Sequence, residues 1–239
     1  MATIAAPVTS PLQRERTFYF VMSLFFLAAA VGGFGFFFVI GASTFASPWW
    51  VHVHAVTMTA FLSLYVVQTW LVHRGDPATH KRLGALGAAL GAWLVLYSFW
   101  AITQTVAAGR YPPFFTANWF LMMDWLNLAI FTGLAGAGIA LRRRPDWHKR
   151  LMFGGMLTLM SVAWGRLVLP QFFDQRAIAL VVVILLAHLG AAMLLDRRLH
   201  GRVHPAHFIT AAALVGWMAA LFTLSDLPPW VAFANSFTG

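Results

Sequence analysis

Seven apolar runs decide what this chain of 239 residues can fold into. They are approximately Thr17–Ile40, Trp50–Val72, Leu83–Ala108, Ala117–Leu141, Leu151–Leu169, Arg176–Leu195 and Pro205–Leu224. Each is close to the roughly 20 residues that a helix needs to cross a bilayer core. Lipid offers the backbone no hydrogen bonds, so runs of this length predict helices that satisfy their own N–H and C=O groups. The expected fold is all-α: a polytopic bundle of seven spans, one leading helix followed by three hairpins. Residues 1–16 read as a polar lead, 17–225 as one membrane domain and 226–239 as a short external tail. The first run is about twice the length of a signal-peptide core, so it reads as a retained span even though Thr44-Phe45-Ala46 would pass as a cleavage site. The fifth run is the least regular, because Trp164-Gly165-Arg166 interrupts it.

Composition agrees. Charged residues make up 10% of the chain and hydrophobic ones 60%, where soluble domains carry roughly a quarter charged. With no cysteine, disulfides, thiolate metal sites, iron–sulfur clusters and covalent haem attachment are excluded. The net charge of +9 is one-sided: 13 basic residues face four acids (Glu15, Asp76, Asp146, Asp196) in one set of loops. On the other side Arg110, Arg166 and Arg176 balance Asp124, Asp174 and Asp226. The positive-inside rule then predicts a cytoplasmic N-terminus and an external C-terminus. The charge is thereby accounted for, and no nucleic-acid partner is expected.

A repeat marks the basic loops. Pro77-Ala78-Thr79-His80-Lys81-Arg82-Leu83 and Pro145-Asp146-Trp147-His148-Lys149-Arg150-Leu151 both read Pro-x-x-His-Lys-Arg-Leu, with a looser relative at Leu199–Pro205. Proline at a first helical turn followed by Lys-Arg forms a helix start and a headgroup anchor. His80, Lys81, Arg82, Lys149 and Arg150 are therefore expected in loops against anionic lipid headgroups. Trp49, Trp50, Trp119 and Trp230 outside, and Trp70 and Trp147 inside, fit as interface anchors. Small residues at Gly84, Gly87, Gly91, Gly133, Gly136, Gly138, Gly154 and Gly155 predict close packing, with the third to fifth helices central.

Ionisable groups inside a bilayer cost at least ~2.5–3.5 kcal/mol on insertion scales, so they are the candidates for function. Asp124, Asn127, Arg166, His52, His54 and Gln104 all fall in the outer leaflet by depth. Asp124 and Arg166 are predicted to pair, with His54 and Asn127 sharing their cavity as a small polar pocket open to the outside. His52 and His54 are also the outer candidates for a metal. For non-covalent haem b the candidate ligands are His54, His73, His148 and His188. Depth argues against simple pairings among them, because two axial ligands must share a level. His188 lies about seven residues, or ~10 Å, above the inner end of its run, whereas His73 lies close to the inner end of its own.

Both lysines, Lys81 and Lys149, are in the basic loops, so a buried retinal Schiff base is excluded. The phosphate-loop, His-Glu-x-x-His and Gly-x-Ser-x-Gly patterns do not occur. Two readings follow. One is a redox or cofactor-holding module with non-covalent haem or a metal between helices. The other is a cofactor-free membrane protein for binding, transport or complex assembly, working through the outer-leaflet pocket. A homo-oligomer or a larger membrane complex is compatible with either.

The order His80-Lys81-Arg82-Leu83-Gly84, then Arg142–Met152, then Arg166 resembles a family of uncharacterised bacterial polytopic membrane proteins with paired His-Lys/Arg-Arg-Leu-Gly and His-Lys/Arg-Arg-x-Met motifs. The likeness covers roughly His54 to Leu169, with His54, His80, Gly84, His148, Met152 and Arg166 as the matching positions. The chain departs from the pattern at Leu151, where an aromatic is usual, and in having lysine as the first basic residue of each motif. The segment Gly201–His207 is similar to the ending of hypothetical proteins from proteobacteria. The resemblance implies a bacterial inner-membrane location and the same site candidates, but no reaction.

Overall fold

The computed structural model describes residues 10–168, 170 and 175–238. Leu169, the expected end of the fifth run, and Asp174 lie outside them, as do residues 1–9 of the polar lead. Eight helices are described: α1 (Pro11–Val39), α2 (Trp49–His73), α3 (Pro77–Ala107), α4 (Ala117–Ala140), α5 (Pro145–Val168), α6 (Gln175–His200), α7 (Pro205–Leu224) and α8 (Pro228–Asn235). Seven of them, α1 to α7, are long and apolar enough to cross a membrane. This is a multi-pass helical membrane protein.

The helices reach further into the basic loops than hydropathy alone indicates. In α3 and α5 the helix begins at Pro77 and Pro145, six residues before the leucine that opens the apolar run. Proline at the first turn gives up an N–H that the helix could not use and presets φ. Asp76 then caps α3 by accepting from the Thr79 amide at 3.0 Å. The hydrogen bond from Arg74, with the cap behind it, holds the Asp76 carboxyl down at about 2. His80, Lys81, Arg82, Lys149 and Arg150 are consequently helical, not loop residues. At its other end α2 closes with Gly75 at φ 84° and the Asp76 amide returning to Leu71 O at 2.8 Å. This is the left-handed glycine cap that lets the chain reverse within a few residues.

Packing follows small residues. Helix α5 lies among α1, α4, α6 and α7, and α2 and α3 close a flank between α1 and α4. Two-thirds (67%) of the apolar window of α5 is buried, against at most 39% in the other six. The irregular fifth run is therefore the centre of the bundle. It can be central because its glycines admit neighbours: a Cβ on Gly155 would lie 3.3 Å from Ala135 of α4, and one on Gly154 would overlap Thr210 of α7. Across from it, a Cβ on Gly33 of α1 would lie 2.5 Å from the Ala163 carbonyl. Helix α3 is peripheral, contrary to expectation. Gly84 has open space where a side chain would go, and Gly91 meets only the Phe61 ring of α2.

The apolar core runs through Phe26, Phe153, Leu157 and Leu185, all fully buried. Large apolar side chains such as Val31, Val56, Leu96 and Val183 face outward, as befits helices whose solvent is lipid. The expected external tail is instead a short helix folded back on α4. Trp230 Nε1 donates to Asn118 O at 3.0 Å, Asn118 donates to Ser225 O at 2.8 Å, and Trp125 meets the rings of Trp230, Phe233 and Phe237.

Candidate functional site

Polar groups inside the bundle fall into two layers, one near each end. At the far end, where α2 and α4 start and α1, α3 and α5 finish, the structure gathers His54, Ser98, Asp124 and Arg166. Ser98 Oγ lies 3.3 Å from His54 Nδ1. Arg166 is close enough to both His54 and Asp124 to act on them electrostatically. The expected ion pair is not formed: among the described residues no carboxylate lies within 4.0 Å of Arg166. Its guanidinium instead sits 4.0 Å over the Phe34 ring and 5.4 Å from that of Phe37, both on α1. One terminal nitrogen donates to Val162 O at 3.3 Å, and the buried Nε has no acceptor among the described residues. Asp124, half-buried, accepts no hydrogen bond from the described residues.

Other members of the predicted pocket are placed elsewhere. Asn127 is buried one turn deeper and faces α5, donating to Thr158 O and Ser161 Oγ at 2.9 Å each. It clasps two helices and does not open on the Asp124 side. His52 turns to its own loop, with Nε2 3.0 Å from Ser47 O. Gln104 makes no side-chain hydrogen bond with the described residues.

The histidines proposed for haem do not converge. His73 lies against α1, within 3.4 Å of Gln13 and Thr17 and stacked on Phe20. His148 Nδ1 is 2.8 Å from Gly138 O, and its nearest ring partner is His80, the equivalent residue of the repeat, at 6.1 Å. His188 bonds back to Ile184 O at 2.7 Å, between Phe26 and Trp164. Each serves a separate helix contact, and no two of His54, His73, His148 and His188 are in ring contact among the described residues.

The second layer, at the basic end, is an ion network that the sequence reading distributed among loops. Arg150 is 3% exposed, so it is not a headgroup ligand. Its Nε and Nη2 clamp both Asp196 oxygens at 2.8 and 2.5 Å. Nη2 also reaches Glu15 Oε1 at 3.0 Å, and Nη1 donates to Asp146 O at 2.8 Å. Lys149 pairs with Glu15 at 2.6 Å, so it too is turned inward. Lys81 and Arg82, at the matching repeat positions, remain exposed. Asp196 accepts from the His204 amide at 3.1 Å and lies 3.2 Å from the buried His207 ring. Burial holds the His204 imidazole below its usual range, opposed by its contact with Asp146.

One oxygen each from Glu15 and Asp196 and one nitrogen from His200 lie within 4.8 Å of one another, a metal-like spacing. The Arg150 guanidinium already supplies the positive charge there. A signal for this network existed in the composition. Only seven acids occur in the chain, and four of them, Glu15, Asp76, Asp146 and Asp196, fall inside the basic segments.

Two hollows accompany these layers. A polar cleft of about 320 Å³ opens beside the ion network, between Asp146, Lys149, His200, Arg202 and His204. An apolar groove of about 440 Å³ runs between α4, α5 and α7. No family model matches the chain, and neither a curated protein nor a solved structure matches it.

Proposed function

We propose that this chain is a cofactor-free binding or transport protein of the bacterial inner membrane, holding a small anion at Arg166 in the outer leaflet. The charge asymmetry of the loops supports a cytoplasmic basic end, and the likeness of the His-Lys-Arg motifs to bacterial membrane proteins supports the compartment. One contrast carries the reading. Glu15, Arg150 and Asp196 are buried and paired with one another at the basic end, while Arg166 keeps a buried donor without an acceptor among the described residues and leaves Asp124 beyond ion-pair distance. A guanidinium in that state has no ion-pair contact among the described residues, and its planar fork suits a carboxylate or another small oxyanion. Asp124, the carboxylate that balances Arg166 from a distance, takes up one proton when the anion enters, which leaves the guanidinium and the anion as a neutral pair.

The test is thermal denaturation of the purified protein in mild detergent with chloride, nitrate, formate or acetate added. Binding to the folded state alone raises stability by RT ln(1 + [L]/Kd), about 2.7 kcal/mol at a hundredfold excess over Kd. The wild type is expected to be stabilised by at least one of these anions, more so at pH 5.5 than at pH 8, and Arg166→Gln to lose the response. An unresponsive wild type, together with an Arg166→Gln protein that simply melts higher, would show an unpaired charge with no ligand.

A further inference from the structure

The apolar groove between α4, α5 and α7 has no role in the far-end site, and its surroundings identify an occupant. Its walls are Gly133, Leu134 and Ala137 of α4, Leu151 of α5, and Ile209 and Ala213 of α7, almost wholly apolar. Small residues make the hollow: at Gly133 a Cβ would meet nothing within 4 Å. A volume of about 440 Å³ falls within the ~300–1,000 Å³ typical of small-molecule sites.

The groove does not end blindly. It rises to Leu141 and Trp147, which bracket Arg142, Arg143 and Arg144 at the basic end. All three arginines are exposed, and none has a carboxylate within ion-pair distance among the described residues. Arg142 only caps its own helix through Ile139 O, and Arg144 leans over the Trp147 ring at 5.6 Å. The one nearby acid, Asp146, is turned to His204. An apolar slot leading to three unpaired guanidiniums and a half-buried tryptophan matches a molecule with an acyl chain at one end and a phosphate at the other.

We infer that this groove holds an acyl chain of an anionic phospholipid whose phosphodiester is bound by Arg142, Arg143 and Arg144. The inference rests on the membrane reading of the helices and is independent of the anion site at Arg166. Guanidinium and phosphate form charge-assisted, often bidentate hydrogen bonds, and the apolar walls remove the chain from contact with mobile lipid. A neutral-headgroup lipid meets the same walls but leaves the arginines without a counter-ion.

Native mass spectrometry and thermal melting of the delipidated full chain test this, using phosphatidylglycerol, phosphatidylcholine and inorganic phosphate as probes. The wild type is expected to retain one phosphatidylglycerol and melt at higher temperature with it, and to respond to neither of the other two. Gly133→Leu projects a side chain into the groove from a position whose Cβ has open space. It should melt no lower than the wild type in lipid-free detergent and bind phosphatidylglycerol at least tenfold more weakly. The triple variant R142Q/R143Q/R144Q should bind phosphatidylglycerol and phosphatidylcholine alike. Equal binding of both lipids by the wild type would overturn the inference, as would phosphatidylglycerol binding by Gly133→Leu at wild-type strength. A lipid-free dimer that Gly133→Leu dissociates would also overturn it, by assigning the groove to a second copy of the chain.

Discussion

Arg150→Ala is expected to cost about 3–5 kcal/mol of stability, the penalty for removing one partner of a buried ion pair. The reason is arithmetic of charge. Arg150 faces Asp196 and Glu15 together, and its loss leaves two nearly buried carboxylates with only Lys149, the partly exposed His200 and the buried His207 to offset them. The bidentate clamp on Asp196 also ties α5 to α6, and the Glu15 contact ties both to the start of α1. Unfolding in mixed detergent micelles should report the loss as a lower midpoint, and proteolysis should open first at the basic end. Arg150→Met with Asp196→Leu and Glu15→Met should recover much of it, since replacing buried ions with apolar groups of similar size is often neutral. If Arg150→Ala melts within about 1 kcal/mol of the wild type, the range of an exposed pair, the network is solvated and does not hold the helices together.

The second large effect is expected at glycines that α5 uses or meets. Gly33→Val and Gly154→Val each place atoms where Ala163 O and Thr210 already stand. Overpacking of this kind typically costs about 1–3 kcal/mol and sometimes more, because the obstacle at Gly33 is backbone and the one at Gly154 is a buried side chain. Yield of folded protein and melting temperature should both fall. Gly136→Ala is the matched control: its Cβ would meet nothing within 4 Å, so it should be neutral or slightly stabilising. Equal behaviour at all three positions would mean that helix propensity, not close approach, governs these sites.

The seven helices were legible because length and hydropathy are properties of each run by itself. The helix starts were legible in the prolines, but the helical state of the basic residues that follow them was not. The apolar run opens at Leu83 or Leu151, but the helix opens at the proline six residues earlier, so the basic residues between are helical. Which helix is central was misjudged from glycine spacing alone. Gly84 and Gly154 look alike in sequence, yet only Gly154 meets a neighbouring helix. The repeat misled in the same way. Arg82 and Arg150 occupy matching positions, but only Arg150 has two acids brought to it, from residues 135 and 46 positions away. Such pairings depend on which helices become neighbours, and no local pattern encodes that. Depth did place Asp124, His54 and Arg166 in one layer. Depth could not say which way each side chain turns, so Asn127, one turn away, was assigned to the wrong surface.

Titration calorimetry of anion binding, run in two buffers of different ionisation enthalpy, measures the far-end site most directly. The apparent enthalpy should differ between buffers by an amount corresponding to about one proton taken up per anion bound. Arg166→Gln should bind nothing, and Asp124→Asn should bind with less proton uptake. Anion binding of equal strength in Arg166→Gln would place the site elsewhere and remove Arg166 as its anchor.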